Sequence, residues 1–136
     1  MVVRLKTGSY WHTVGSEDLL FSFFSTIAYH LEDNLWGSKY PSVMKELYHG
    51  KLYSIEHALY ELDDIKDKLE EYSMDQIVWD INNMSRRPPW EENIVESKAT
   101  LSKSFISING EDLFVVFQDV LTKARETGTA VKIITY

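Results

Sequence analysis

The sequence predicts an α+β fold in one domain spanning residues 1–136: a small mixed or antiparallel sheet packed against three longer helices and one short helix. Three observations predict it. Apolar residues recur at three- and four-residue spacing in three separate stretches, which is the signature of helices that bury one face. Runs rich in β-branched and aromatic residues stand at both ends of the chain. Finally, 136 residues with a 44% hydrophobic and 13% aromatic share suffice for one core and crowd out a second.

Residues 2–14, rich in Val, Leu, Thr, Tyr and Trp with Gly8 among them, read as a strand or bent hairpin arm. Ser16 is placed to cap a helix, with Glu17 and Asp18 at its positive end. Phe23, Phe24, Ile27 and Leu31 form that helix's stripe, while Ser22, Ser25, Thr26 and Tyr29 across from it are small or weakly polar. Such a helix is expected to be central and buried on much of its circumference. Gly37 and Pro41 bracket a turn before a short helix, Ser42–Tyr48, which Gly50 closes in a left-handed conformation.

Ser54 is expected to cap the next helix, whose stripe runs Ile55, Ala58, Leu59, Leu62, Ile65, Leu69 and Tyr72. Gln76–Asp80 reads as a short buried strand, and Leu101–Ile108 as another strand ending at the turn Asn109-Gly110. Leu113, Val116, Phe117, Val120, Leu121 and Ala124 mark the last helix, with Glu111 and Asp112 at its start and Gly128 at its end. Ala130–Tyr136 alternates like a closing strand. No internal repeat or low-complexity segment interrupts this order.

Charge is concentrated. Residues 54–75 hold eight acids, Glu56, Glu61, Asp63, Asp64, Asp67, Glu70, Glu71 and Asp75, against Lys66 and Lys68, a balance of −6 within a chain of net charge −7. At about 100° per residue, Glu56, Tyr60, Asp63, Asp64, Asp67 and Glu71 cluster opposite the apolar stripe. Solvation alone is the ordinary role of such a face, but a tyrosine amid carboxylates suits a surface where a partner docks. The acidic balance disfavours nucleic acid and favours a basic partner. Arg86-Arg87 is the best basic patch for a polyanion, and it is short.

The chain has no cysteine, which removes disulfides, thiolate chemistry and sulfur-ligated zinc. Its opening MVVRLKTGSYWH lacks the apolar core of a signal peptide, and no apolar run approaches the roughly 20 residues of a membrane span, so the expected location is cytoplasmic. His12, His30, His49 and His57 fall on different elements without the i, i+4 spacing of a metal-binding helix. His30, at the edge of the first stripe, reads as a partly buried side chain with a backbone partner. There is no phosphate-binding glycine loop and no nucleophile elbow. No catalytic residue, cofactor or metal is expected.

The stretch VWDINNMSRRPPWEENI (78–94) draws attention by its oddness. Pro88-Pro89 stiffens it. Asp80 is placed to cap the loop or pair with Arg86 or Arg87, and Trp90 either plugs the core or stands out as an anchor; both are candidate partner-binding residues.

In order along the chain, FFSTIAYHLE (23–32), GSKYP (37–41), ELYHGKL (46–52), VWDI (78–81), PPWEENI (88–94) and LFVVF (113–117) resemble the pattern of the bacterial polymorphic-toxin immunity proteins called immunity protein 70. The resemblance runs from about residue 9 to residue 130, and Trp79, Asp80, Pro88, Pro89 and Trp90 match it. One departure is Glu91, where the family pattern carries a glycine. The resemblance implies a small cytoplasmic protein, encoded beside a secreted toxin, that binds the toxin's effector domain, a nuclease or another enzyme, and occludes its active or substrate-binding surface. It carries over no active-site residues. The alternatives are a small carboxylate-based hydrolase or ligand-binding enzyme using the 78–94 loop, and a structural or regulatory subunit pairing through strand edges.

Overall fold

A computed structural model describes residues 2–88 and 100–135. The N-terminal run is a true hairpin: β1 (Val2–Thr7) and β2 (Tyr10–Ser16) pair antiparallel, with Gly8 at φ 57° in the turn. β3 (Lys132–Thr135) adds antiparallel to the other side of β1, giving the order β2-β1-β3. Alternation fixes the two faces: Val3, Leu5 and Thr7 are buried, and Arg4 and Lys6 point away from the core.

The first helix, α1 (Glu17–Leu31), starts where the sequence places it: the Ser16 hydroxyl accepts the Leu19 N–H at 3.1 Å. It is central, as expected, with Ser22, Ser25 and Thr26 as fully buried as Phe23 and Phe24. The short helix forms as a π-helical segment, Ser42–Leu47, whose wider turn shows in the five-residue bond from the Tyr48 N–H to the Val43 carbonyl at 3.3 Å. Gly50 ends this region at φ 104°. The second long helix, α2 (Ile55–Leu69), buries Ala58, Leu62, Ile65 and Leu69. Ser54 sits at its N-cap, but its hydroxyl makes no capping bond; Glu46 accepts the Tyr53 and Ser54 N–H groups instead, at 3.4 and 3.3 Å. The last helix, α3 (Leu113–Thr127), is capped by the Asp112 carboxylate on the Phe114 N–H and ends at Gly128 in the left-handed conformation. α3 packs against β1 and β2 on one side and against α2 on the other. The result is a sheet, a middle layer of α1 and α3, and an outer α2.

Two expected strands do not form. Gln76–Asp80 follows a 3-10 turn, Met74–Gln76, and then runs extended and buried through Ile77, Val78 and Trp79 without a neighbouring strand. Its backbone is satisfied by hydroxyls of α1. Thr26 accepts the Val78 N–H at 3.0 Å, and Ser22 and Thr26 donate to the Val78 carbonyl at 2.8 and 3.2 Å. A buried backbone needs partners, and side chains supply them as well as a ladder does. Leu101–Ile108 forms a 3-10 turn, Leu101–Lys103, and one isolated bridge between Ile106 and Asp112. Its serines hold the chain in local turns: Ser104 donates to the Thr100 carbonyl, and Ser107 accepts the Asn109 and Glu111 N–H groups. The expected turn at Asn109-Gly110 is present, with Gly110 at φ 84°.

A loop after α1 coils around one carboxylate. Glu32, only 3% exposed, accepts the backbone N–H groups of Gly37, Lys39 and Tyr40 at 2.8 to 2.9 Å. Asp33, Asn34 and Gly37 in this loop all have positive φ, of 49°, 66° and 79°. A side chain at Gly37 would also meet the Lys45 stem at 2.6 Å.

Candidate functional site

The acidic helix is built as the sequence spacing requires. Its apolar stripe seals against α3, the π-helical segment and α1, which turns Glu56, Tyr60, Asp63, Asp67 and Glu71 to solvent. Tyr60 is 80% exposed, more than any other large apolar or aromatic side chain among the described residues. Beside it lies a groove of about 580 Å³ lined by Lys39, Tyr40, Glu56, His57, Tyr60, Glu61 and Asp64. A second groove of about 490 Å³ shares Glu56 and His57 and continues past Tyr53 to Arg125 and Thr129 at the end of α3. The acidic face is therefore furrowed rather than flat, with two exposed tyrosines along it.

The carboxylates are not equivalent. Asp64 is tied inward: Tyr40 donates to it at 2.7 Å and Lys68 lies 2.9 Å away. Those bonds, Lys68's first and then Tyr40's, hold its carboxyl below the ordinary aspartate range, while burial and the bond to Asp64 push the Tyr40 phenol up to about 12. Glu61 accepts the Ser42 and Val43 N–H groups, at 3.2 and 2.9 Å, and so caps the π-helical segment. Asp63 receives Gln118 at 3.1 Å, and Glu56 lies 3.6 Å from Arg125. The Asp67 and Glu71 carboxylates make no hydrogen bond or ion pair among the described residues.

The Asp64 pair gives a pH dependence whose sign is fixed. Because the folded pKa lies below the ordinary value of 3.8, the stabilisation is present above that value and is lost as pH falls through the folded one. With the Asp64 side chain 40% exposed, the pair contributes about 1 kcal/mol or less. Denaturant unfolding should therefore find Asp64→Asn weaker than the parent by that margin at pH 7 and equal to it near pH 2.

Asp80 serves its own loop. Its side chain, 14% exposed, accepts the Asn82 N–H at 2.9 Å and the Arg86 guanidinium at 2.9 Å. Arg87 donates to the Ile77 and Asp75 carbonyls. Trp79 and Pro88 are buried, and Pro89, Trp90 and Glu91 lie outside the described residues. His30 has the backbone partner expected of it, the Gln76 carbonyl at 2.6 Å.

One cluster escaped the sequence reading. The Tyr10 phenol and His12 Nε2 converge on the same oxygen of Asp119, His12 at 2.5 Å, joining β2 to α3. The phenol's bond holds Asp119 below the usual carboxylate range and raises Tyr10. More than a hundred residues separate the partners, so no local spacing announces them. Hydrogen bonds from Lys68 and Thr100 likewise draw Asp64 and Glu70 down. A general acid needs the opposite shift. Among the described residues no group of three His, Asp or Glu is set to hold a metal, and no helix is long and apolar enough to cross a membrane.

An acidic, furrowed helix face suits recognition of another protein. The family model described as Immunity protein 70 matches residues 5–133, nearly the whole chain. The chain belongs to the immunity protein 70 family. Neither the curated proteins nor the solved structures compared with this immunity protein gave a match. Membership implies a toxin as the partner, in agreement with the resemblance carried by the sequence motifs.

Proposed function

We propose that this immunity protein neutralises a cognate toxin effector domain, encoded beside it and acting in the cytoplasm, by laying the outer face of α2 over the toxin's active or substrate-binding surface. The observation that carries the reading is the alignment of Glu56, Tyr60, Asp63, Asp67 and Glu71 on one exposed face, with grooves on the flank of Tyr60. A toxin that handles phosphate, such as a nuclease, presents cations that such a face can pair with, and it would be blocked without any reaction. Tyrosine contributes a large, stiff contact area at the centre of this charged field. Asp64 supports the face from within through Tyr40 and Lys68. Asp80 is left out of the footprint, because Arg86 and the Asn82 N–H engage its carboxylate. Trp90 lies outside the described residues and adds nothing to this argument.

Mixing the purified protein with the toxin domain encoded next to it should give a stable complex and rescue cells expressing that toxin; no complex at micromolar concentration sinks the reading. The triple variant Asp63→Lys, Asp67→Lys, Glu71→Lys should lower the association rate roughly 10- to 100-fold and flatten its salt dependence. Its melting temperature should stay near the parent's. Unchanged kinetics in a folded variant would move the footprint off α2.

A further inference from the structure

Among the described residues, the outer face of the sheet, away from α2, carries the opposite charge. The three strands, VVRLKT, YWHTVGS and KIIT, contain no acid, although the chain as a whole has net charge −7. Register places Lys6 directly opposite both Trp11 and Lys132, and Arg4 opposite Thr13 and Ile134. Since Leu5 and its neighbours fill the core side, Arg4, Lys6, Trp11, Lys132 and Ile134 share the outer face. Trp11 is 45% exposed there, with the Arg4 guanidinium 3.7 Å from its ring centroid. Two lysines facing each other across a strand pair repel. A lysine on edge strand β3 is a common guard against stray pairing, but Lys6 is on the central strand, where no edge needs guarding. Repulsion kept at that position is relieved by an anion laid across both strands.

We propose that this face receives the acidic face of α2 from a second copy of the chain, so that copies associate head to tail. The two surfaces match in sign and in length: a fifteen-residue helix extends about 22 Å, and β1, with six residues, about 20 Å. They also lie on opposite sides of one molecule, with α3 between them, so each copy offers both halves of the contact. Such an interface joins unlike surfaces and does not close at two copies. Tyr60 projects from one half and Trp11 from the other, which supplies an aromatic centre to a contact otherwise made of charge. Because α2 is also the surface proposed to meet the toxin, self-association and toxin binding exclude each other on any one copy.

Sedimentation velocity on the full chain, with no toxin present, tests this independently of the proposed function. At about 20 mM salt the mean mass should rise with concentration past that of a dimer, and at about 0.5 M salt it should fall to the monomer. Lys6→Gln with Lys132→Gln breaks one half of the contact, and Asp63→Asn with Asp67→Asn and Glu71→Gln breaks the other, each without creating a surface of reversed charge. Each variant alone should be monomeric with an unchanged melting temperature. Mixed in equal amounts they offer one intact surface each against the other's, so the mixture should yield a heterodimer at low salt and nothing larger. Trp11→Ala should weaken assembly at least 5-fold without altering net charge. A wild type that stays monomeric to about 200 µM at low salt overturns the proposal. So does a dimer that does not grow, or assembly that persists in either charge variant.

Discussion

Phe23→Ala is expected to destabilise the fold by about 3–5 kcal/mol, a large part of the 5–15 kcal/mol that holds a domain of this size together. Phe23 has no exposed surface, and its ring centroid lies 4.9 Å from Phe117, 5.3 Å from Phe105 and Phe114, and 5.7 Å from Phe24. One side chain thus joins α1 to α3 and to the loop before it. Truncation leaves a cavity bounded by rings that cannot all move inward together. Phe21, half-buried against Trp36 and Tyr48 at the rim, provides the contrast. Guanidinium unfolding of both variants should show Phe21→Ala losing less than half as much. Equal losses would mean that the aromatic cluster is not the keystone of the core.

Glu32→Ala is the second large effect, with an expected cost of at least about 3 kcal/mol. The carboxylate is the acceptor for three backbone N–H groups, and each donor left buried without one costs roughly 1–3 kcal/mol. It also holds together a loop in which Asp33, Asn34 and Gly37 adopt left-handed backbone conformations. Glu32→Gln retains one carbonyl oxygen, enough for two of the three donors, and should lose about half as much. Urea denaturation of the two variants distinguishes this account from a simple loss of buried charge, in which the glutamine variant would be as weak as the alanine one. A loss under about 0.5 kcal/mol for Glu32→Ala would show that water takes the carboxylate's place.

The helices were legible because their stripes are long: Phe23 to Leu31, Ile55 to Leu69 and Leu113 to Ala124 each repeat the helical period often enough to exclude other readings. The caps at Ser16 and Gly128 followed from chemistry that needs only neighbours. Val78 shows where that reasoning stops. A short apolar run announces burial but not what will satisfy its backbone, and here the answer came from Ser22 and Thr26, fifty residues earlier. At 101–108 the β-leaning residues were outweighed by serines that bond to their own backbone. The acidic face was legible as a direction, since helical angle separates inside from outside. Which of its acids are committed was not: Asp64, Glu61 and Asp63 are engaged by Tyr40, the Ser42–Val43 backbone and Gln118, all distant in sequence. The same contacts clarify the family motifs. Glu32 of FFSTIAYHLE grips GSKYP, and Ser25 and Thr26 of the same motif bind VWDI. Much of the recognisable pattern is the fold holding itself together.

The way α2 is attached has a consequence for how such a protein changes over generations. Ala58, Leu62, Ile65 and Leu69 anchor the helix through its inner side, whereas substitutions on the solvent side of a helix shift stability by only about 0.5 kcal/mol. Positions 56, 60, 67 and 71 can therefore be rewritten almost freely. On the footprint proposed above, a lineage confronted with an altered adversary retunes recognition by single substitutions there, while the scaffold that presents them stays as it was.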